Sequence, residues 1–122
     1  MKHRDLVVYG KDKVLDFVHV KDVIDAFLKV LELEIDHNEN LIFNIGSGIG
    51  INIVKLATMI KEILRSKSRI VIKGERPYEV KKYIADIQRA KNILKWKPII
   101  DIKSGLKQLV EYAKINNYFN NK

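Results

Sequence analysis

The spacing of apolar residues predicts strands and one helix in the first half of the chain. Residues 5–10 (DLVVYG) and 14–20 (VLDFVHV) are β-branched runs that predict two extended segments. A helical apolar period follows and predicts a helix with Asp22 as its N-cap. Its inward face is expected to hold Val23, Phe27, Val30 and Leu31. Residues 41–46 (LIFNIG) form an apolar run that predicts a strand covered on both faces.

The second half alternates helices with short extended segments. Asn52, Asp86 and Asp101 each precede an amphipathic run and are natural N-caps. Residues 69–73 predict a strand, 74–80 a turn and 81–86 an extended segment. The three helices are expected to bury Ile53, Leu56, Ala57, Ile60 and Leu64; Ile87, Ala90 and Leu94; and Ile102, Leu106, Leu109, Val110 and Ala113. This order of elements predicts a single mixed α/β domain over residues 1–122, with residues 116–122 as a frayed tail.

Composition agrees with one folded domain. The chain has 122 residues, of which 47% are apolar and 31% charged, which is typical of a globular protein. It has no cysteine, so disulfides, thiolate chemistry and cysteine-based zinc sites are excluded. No run approaches the roughly 20 apolar residues of a membrane span. We therefore expect a cytoplasmic protein without a membrane segment.

The positive charge favours anionic partners. The net charge is +8, from 23 lysines and arginines against 15 acids, and it suits either nucleic acid or a phosphorylated small molecule. Most lysines, however, are interleaved with acids along predicted helices. No aromatic residues interleave with a basic stripe, so nucleic-acid binding is the weaker interpretation.

A glycine-rich turn follows the predicted strand at 41–46. Gly46, Gly48 and Gly50 give G-x-G-x-G, whereas the dinucleotide fingerprint needs its third glycine where Ile51 stands. No acid lies in residues 63–72, where the ribose-binding acid is expected. We therefore expect Gly46 and Gly48 to supply positive backbone angles or close chain approach rather than a cofactor site.

The sequence alone shows no catalytic set and no metal site. Two pairs have the Tyr-x-x-x-Lys spacing of short-chain dehydrogenases, namely Tyr9 with Lys13 and Tyr78 with Lys82. Gly10 and Pro77 beside these tyrosines argue against a helix, and off a helix this spacing does not bring the two side chains together. The three histidines have no partner at metal-binding spacing, and His19 is expected to be packed and hydrogen-bonded.

Four sequence blocks, read in order, resemble the C-terminal part of the NAD-dependent epimerase/dehydratase family. They are VVYGKDKVLDFVHVKDVIDA, LIFNIGSGIGINIVKLATMI, GERPYEVKKYIADIQRAKNILKWKP and DIKSGLKQLVEY. These blocks keep the order and spacing of the family and cover nearly the whole chain. The resemblance implies the small substrate-binding lobe of an extended short-chain dehydrogenase, with 41–46 contributing a late strand to the large sheet.

The resemblance also implies what is missing. The family's glycine fingerprint and catalytic Tyr-x-x-x-Lys helix lie in an N-terminal Rossmann lobe that these blocks do not include. In the complete enzyme a bound NAD takes and returns a hydride. We therefore expect this chain to bind no cofactor and to have no catalytic residue by itself, as a truncated or split enzyme that contributes sugar-nucleotide binding.

Three residues carry over from the family as substrate-binding candidates. Arg76 matches the arginine that holds the diphosphate of a UDP- or TDP-sugar, and a guanidinium can grip phosphate with paired hydrogen bonds. Glu79 stands where the family usually has aspartate and could accept a hydrogen bond from a sugar hydroxyl. Phe17 matches an aromatic residue that can line the nucleotide site, although core packing is equally expected.

Two departures from the family pattern bear on this interpretation. Leu15 replaces an arginine that also contacts the diphosphate, and Lys95 replaces a glycine that closes a helix. Two further hypotheses stay open: a non-catalytic assembly module that pairs through an exposed strand edge with a companion chain or a second copy, and a basic nucleic-acid-binding domain.

Overall fold

The computed structural model describes residues 4–34 and 41–118, and it confirms a mixed α/β fold. The strands are β1 (Leu6–Tyr9), β2 (Val14–Asp16), β3 (Gly50–Asn52), β4 (Ile70–Lys73) and β5 (Lys82–Tyr83). The helices are α1 (Val20–Leu31), α2 (Ile53–Ile63), α3 (Gln88–Ile93) and α4 (Ile102–Ile115).

Within the described residues the strands form two small sheets. One pairs β1 with β4 in parallel, with Leu6 opposite Ile70. The other has the order β3-β2-β5, in which β2 runs antiparallel to β3 and parallel to β5. Because Val14 lies opposite both Asn52 and Lys82, β2 brings the residues before it close to the segment before β5.

The core lies between α1, α3 and the segments that flank α3. Trp96 is 1% exposed, and its indole Nε1 donates to the carbonyl oxygen of Asp22 at 3.0 Å. Around it pack Ala26, Ala85, Ile87, Ala90 and Leu94. The expected inward face of the helix at 88–93 is therefore confirmed.

The predicted caps are confirmed at two helices and wrong at α1. Asn52 accepts from the amides of Val54 and Lys55, and Asp101 accepts from those of Lys103 and Ser104. At α1 the N-cap is His19, whose Nδ1 accepts from the amide of Lys21 at 3.2 Å. His19 is thus hydrogen-bonded, as expected.

Asp22 does not cap α1; its carboxylate binds backbone amides near the C-terminal helix instead. It lies inside the first turn of α1, is 3% exposed, and accepts at 3.1 Å from the amides of both Ile99 and Ile100. The amides of Ile99 and Ile100 follow Pro98 and belong to no helix or strand. The buried carboxylate of Asp22 therefore supplies the hydrogen-bond acceptor that both amides need. This carboxylate ties α1 to the segment before α4. At α3 the Asp86 carboxylate does accept from the amide of Gln88, although the cap position itself is Ile87.

The outer side of α1 also departs from expectation. Phe27 and Leu31, predicted to point inward, are 67% and 81% exposed. The buried residues of this helix are Asp22 and Ala26, while Val30 packs partly against the core. Leu109 of α4, likewise predicted inward, is 61% exposed. These helices therefore carry more apolar surface than the described part of the chain covers.

Residues 41–46 are not a paired strand, and only one face is covered. No strand among the described residues lies beside this segment. Phe43 and Ile45 pack partly against the core, whereas Ile42 is 76% exposed. The apolar sequence favours a strand, but a strand is completed only by a neighbour that shares its hydrogen bonds.

Candidate functional site

The turn between β4 and β5 builds an open cleft of about 320 Å³. Residues 75–79 and Lys81 line one side, and Lys13, just before β2, lines the other. The parallel pairing of Val14 with Lys82 holds these two segments together. The cleft therefore combines residues that lie more than 60 positions apart in sequence.

Arg76 is held in this cleft by an aromatic ring. Its guanidinium carbon lies 3.8 Å from the centre of the Tyr9 ring, which is a cation–π contact. The side chain is still 55% exposed. Arg76 thus keeps donors available to an incoming anion.

Glu79 lies between the two cations of the cleft. It accepts a hydrogen bond from the ammonium group of Lys13, and its Oε1 lies 3.5 Å from the guanidinium of Arg76. The hydrogen bond from Lys13 lowers the pKa of Glu79 below its ordinary value. An ionised carboxylate has about four acceptor positions, so Glu79 could still accept from a hydroxyl group.

A second ion pair borders the cleft. Lys81 Nζ lies 2.7 Å from Glu75 Oε2, and the side chain of Lys81 is 74% exposed. Three cations and two acids therefore line the cleft, and only the Lys13 side chain, 13% exposed, is largely shielded from water. The side chains that line the cleft therefore carry one more positive than negative charge.

Phe17 lies in a different place. It is half-buried and lines a second cleft, of about 390 Å³, together with residues of the glycine turn, Lys55 of α2 and the segment 98–102. Phe17 is not among the residues that line the Arg76 cleft. The structure thus brings Arg76 and Glu79 together and places Phe17 apart from them.

The glycine turn is occupied by the chain's own carboxylate. Asp16 Oδ1 accepts from the amide of Ser47 at 2.7 Å and from the Ser47 hydroxyl, and its Oδ2 accepts from the amides of Gly48 at 2.9 Å and Ala85 at 3.1 Å. Burial raises the pKa of Asp16, but these hydrogen bonds outweigh it and the pKa lies below its ordinary value. The amides of Ser47 and Gly48 in this turn are therefore already used by Asp16.

The two glycines have the roles expected of them. Gly48 has φ +70°, a backbone angle that favours glycine. A Cβ at Gly46 would lie 2.6 Å from Ala85 Cβ and 2.7 Å from Asp16 Oδ2. Gly46 is thus required by the close approach of the Asp16 carboxylate.

Neither Tyr-x-x-x-Lys pair lies on a helix, as expected. Tyr9 belongs to β1, and Tyr78 lies in the turn with φ +64° and a fully exposed side chain. Tyr9 instead contacts the guanidinium of Arg76 with its ring. The Tyr-x-x-x-Lys spacing predicts neither this contact nor the ion pair of Lys13 with Glu79. Among the described residues no group of His, Asp and Glu is arranged to hold a metal ion, and no described helix is long and apolar enough to cross a membrane.

A family model described as GDP-mannose 4,6 dehydratase matches residues 1–109 of the chain. The chain belongs to the NAD-dependent epimerase/dehydratase family. A Methanocaldococcus jannaschii relative in this family, provisionally named UDP-glucose 4-epimerase, is 33% identical over 118 residues, which are 96% of this chain and 37% of that relative.

Solved structures of epimerases contain a region with the same fold as this chain. The Thermotoga maritima UDP-glucose 4-epimerase, solved with UDP-glucose, is 34% identical with a TM-score of 0.84, covering 93% of this chain and 36% of that chain. The Bifidobacterium longum UDP-glucose 4-epimerase, solved with NAD+ and UDP, is 23% identical with a TM-score of 0.82, covering 96% and 36%. The chain therefore spans about a third of the length of these epimerase/dehydratase proteins, in their C-terminal part.

Proposed function

We propose that this chain is the sugar-nucleotide-binding part of an NAD-dependent nucleotide-sugar epimerase or dehydratase, and that Arg76 holds the diphosphate of a UDP- or TDP-sugar. The observation that supports it is the guanidinium of Arg76, stacked on Tyr9 beside Lys13 in an open cleft. The family membership makes a nucleotide-sugar the natural ligand, and the Thermotoga maritima relative was solved with UDP-glucose.

The geometry suits a diphosphate because Arg76 is oriented but not saturated. Its contact with Glu79 is 3.5 Å long, at the limit of a hydrogen bond, and its side chain is 55% exposed. A diphosphate could therefore form paired, charge-assisted hydrogen bonds with the guanidinium. Glu79, which pairs with Lys13, would then accept from a hydroxyl of the same ligand.

Catalysis would require a companion Rossmann-type lobe that binds NAD. The glycine turn of this chain is filled by Asp16, and neither Tyr-x-x-x-Lys pair lies on a helix. NAD, when bound by the complete enzyme, supplies the hydride chemistry. We expect the purified chain to convert no UDP-glucose in the presence of NAD, and measurable conversion would contradict this part of the proposal.

Isothermal titration calorimetry with UDP-glucose and with TDP-glucose tests the binding proposal. Arg76→Ala should weaken binding by roughly tenfold to a hundredfold, the loss expected for a charge-assisted bidentate contact. Arg69→Ala is the matched control, since Arg69 is an exposed arginine that pairs with Asp5 at 3.0 Å and does not line the cleft. Equal affinities of the two variants would show that Arg76 does not bind the sugar-nucleotide.

A second candidate, a non-catalytic assembly module, is favoured by one observation. Residues of α1 such as Phe27 and Leu31 expose much of their apolar surface. A surface of this kind commonly marks a protein interface. The module need not bind a nucleotide-sugar, so the absence of any heat of binding together with stable association to a partner would favour it.

A further inference from the structure

The carboxylate of Glu79 is shared between two cations that come from different parts of the chain. Its Oε2 accepts a hydrogen bond from the ammonium group of Lys13, and its Oε1 lies 3.5 Å from the guanidinium of Arg76. Lys13 precedes β2, whereas Arg76 and Glu79 belong to the turn between β4 and β5. The carboxylate therefore occupies a position where an anion is attracted by both cations.

Lys13 is better placed than the other lysine of the cleft to attract an anion. Its side chain is 13% exposed, whereas that of Lys81 is 74% exposed. Water and salt screen a shielded charge less than an exposed one, so Lys13 acts on an anion in the cleft more strongly than Lys81 does. A lysine ammonium carries three N–H donors, and Glu79 takes one of those of Lys13.

The backbone holds Lys13 at the cleft independently of Glu79. The amide of Lys13 donates to the carbonyl oxygen of Gly10 at 3.3 Å, and its carbonyl oxygen accepts from the amide of Ile53 at 3.0 Å. Both bonds belong to the main chain and do not involve the ammonium group. Lys13 is therefore anchored beside Arg76 whichever anion its side chain binds.

Glu79 is held less firmly than the other carboxylate that the chain binds internally. Asp16 accepts from the backbone amides of Ser47 and Gly48, which the fold fixes in place. The partners of Glu79 are the two long side chains of Lys13 and Arg76, and Glu79 itself is 34% exposed. Exposed ion pairs contribute little to stability, so an incoming anion can replace Glu79 at small cost.

We propose that Lys13 is a second phosphate-binding residue of the cleft, and that Glu79 is the counter-ion that a phosphate displaces from it. A diphosphate that is esterified at both ends carries a negative charge on each phosphate, so one phosphate pairs with Arg76 and the other with Lys13. The displaced carboxylate of Glu79 then accepts from a hydroxyl group of the same ligand. This inference rests on the proposed function and adds the residue that binds the second phosphate.

Titration with inorganic pyrophosphate, followed by heteronuclear NMR of the full chain, tests the role of Lys13. Pyrophosphate carries no sugar hydroxyl, so the experiment isolates the contacts made by phosphate. Lys13→Met keeps the length of the side chain and removes its charge, and we expect it to weaken binding by at least about tenfold. Lys107→Met is the matched control, since Lys107 is an exposed residue of α4 outside the cleft, and it should weaken binding by less than about twofold.

Glu79→Gln tests the displacement, and its expected effect has the opposite sign. The variant removes the competing charge and nearly keeps the shape of the side chain, so pyrophosphate should bind about threefold to tenfold more tightly. Glu111→Gln removes the same charge from an exposed position of α4 and should change the affinity by less than about twofold. An unchanged or weaker affinity of Glu79→Gln would overturn the proposal.

The double variant Lys13→Met/Glu79→Gln separates direct phosphate binding from an indirect role. If Lys13 acted only by positioning Glu79, Lys13→Met would have no effect on pyrophosphate affinity in the Glu79→Gln background. We expect a loss of at least about tenfold there as well. The absence of that loss would overturn the proposal, as would a parent chain that binds no pyrophosphate. Circular dichroism checks the fold of each variant, and the sign of the Glu79→Gln effect still decides the matter if Lys13→Met does not fold.

Failure of this inference is distinguishable from failure of the proposed function. The proposed function is tested by calorimetry with UDP-glucose and Arg76→Ala, whereas this inference is tested with pyrophosphate and Lys13→Met. An Arg76-dependent affinity for UDP-glucose, with equal pyrophosphate affinities of the parent and Lys13→Met, would reject the role of Lys13 alone. Lys13-dependent binding of pyrophosphate without any binding of UDP-glucose would reject the sugar-nucleotide site and keep the phosphate-binding residue.

Discussion

Two regions of this molecule gather hydrogen-bond donors, and they differ in how far the chain itself uses those donors. At the glycine turn, the amides of Ser47 and Gly48 point at a carboxylate that the chain itself supplies, Asp16. In the cleft between β4 and β5, Arg76 remains 55% exposed and meets Glu79 only at 3.5 Å. The amides of the glycine turn are therefore used within the chain, whereas the guanidinium of Arg76 keeps much of its surface exposed.

The largest expected effect follows from removing the internal anion. Asp16→Ala leaves the amides of Ser47, Gly48 and Ala85 without their acceptor, so the free energy of unfolding should fall by about 2–3 kcal/mol. Urea denaturation measures this. Asp25→Ala, at an exposed position of α1, is the control and should change stability by less than about 0.5 kcal/mol. Similar losses from the two variants would show that the turn does not depend on Asp16.

The pH dependence of stability sharpens the same contrast. The pKa of Asp16 is lower in the folded than in the unfolded chain, so its carboxylate stabilises the fold above about pH 4, and this contribution is lost as the pH falls through the folded pKa. Asp16→Asn should therefore flatten the decline of stability with acid. Glu79→Gln should flatten it far less, because the lowered pKa of Glu79 belongs to an exposed ion pair that solvent screens. The Tm of both variants and the parent is measured between pH 2.5 and 7. Equal flattening of the two pH profiles would contradict the larger role given to Asp16.

The sequence was a good guide where local chemistry decides the structure. Asn52 and Asp101 cap their helices because a side chain two or three residues away meets free amides. Gly48 has the predicted positive angle. Arg76 and Glu79 lie together in one cleft because they belong to one turn. In each case the partners are near neighbours in the chain.

The sequence was a poor guide where partners come from far away. Asp22 looked like a cap, but the amides it binds are 77 and 78 residues downstream. Asp16 reaches Ala85 across 69 positions, and Lys13 reaches Glu79 across 66, so neither pairing left a local signal. Residues 41–46 were predicted as a strand covered on both faces, and the neighbour that would complete it is not among the described residues.

A substitution that increases UDP-glucose affinity would also distinguish the cleft from the glycine turn. Leu15 lies on β2, two residues after Lys13, which lines the cleft. Leu15→Arg would restore the second arginine of the family pattern, and we expect UDP-glucose affinity to rise by up to about tenfold. Calorimetry measures the change, and circular dichroism confirms that the half-buried position tolerates arginine. An unchanged affinity in a folded variant would mean that an arginine at position 15 does not contact the ligand.

The smallest expected effect lies in the scaffold, at the end of α3. Lys95 has φ +51°, a left-handed angle that costs a non-glycine residue about 1 kcal/mol, where the family pattern has glycine. Lys95→Gly should raise the free energy of unfolding by about 0.5 kcal/mol, since glycine also loses more chain entropy on folding. Lys91→Gly, within α3, should lower it by up to about 1 kcal/mol. Neither residue lines the Arg76 cleft, so both variants should keep the parent's UDP-glucose affinity; a change in affinity would show that the scaffold and the cleft are energetically linked.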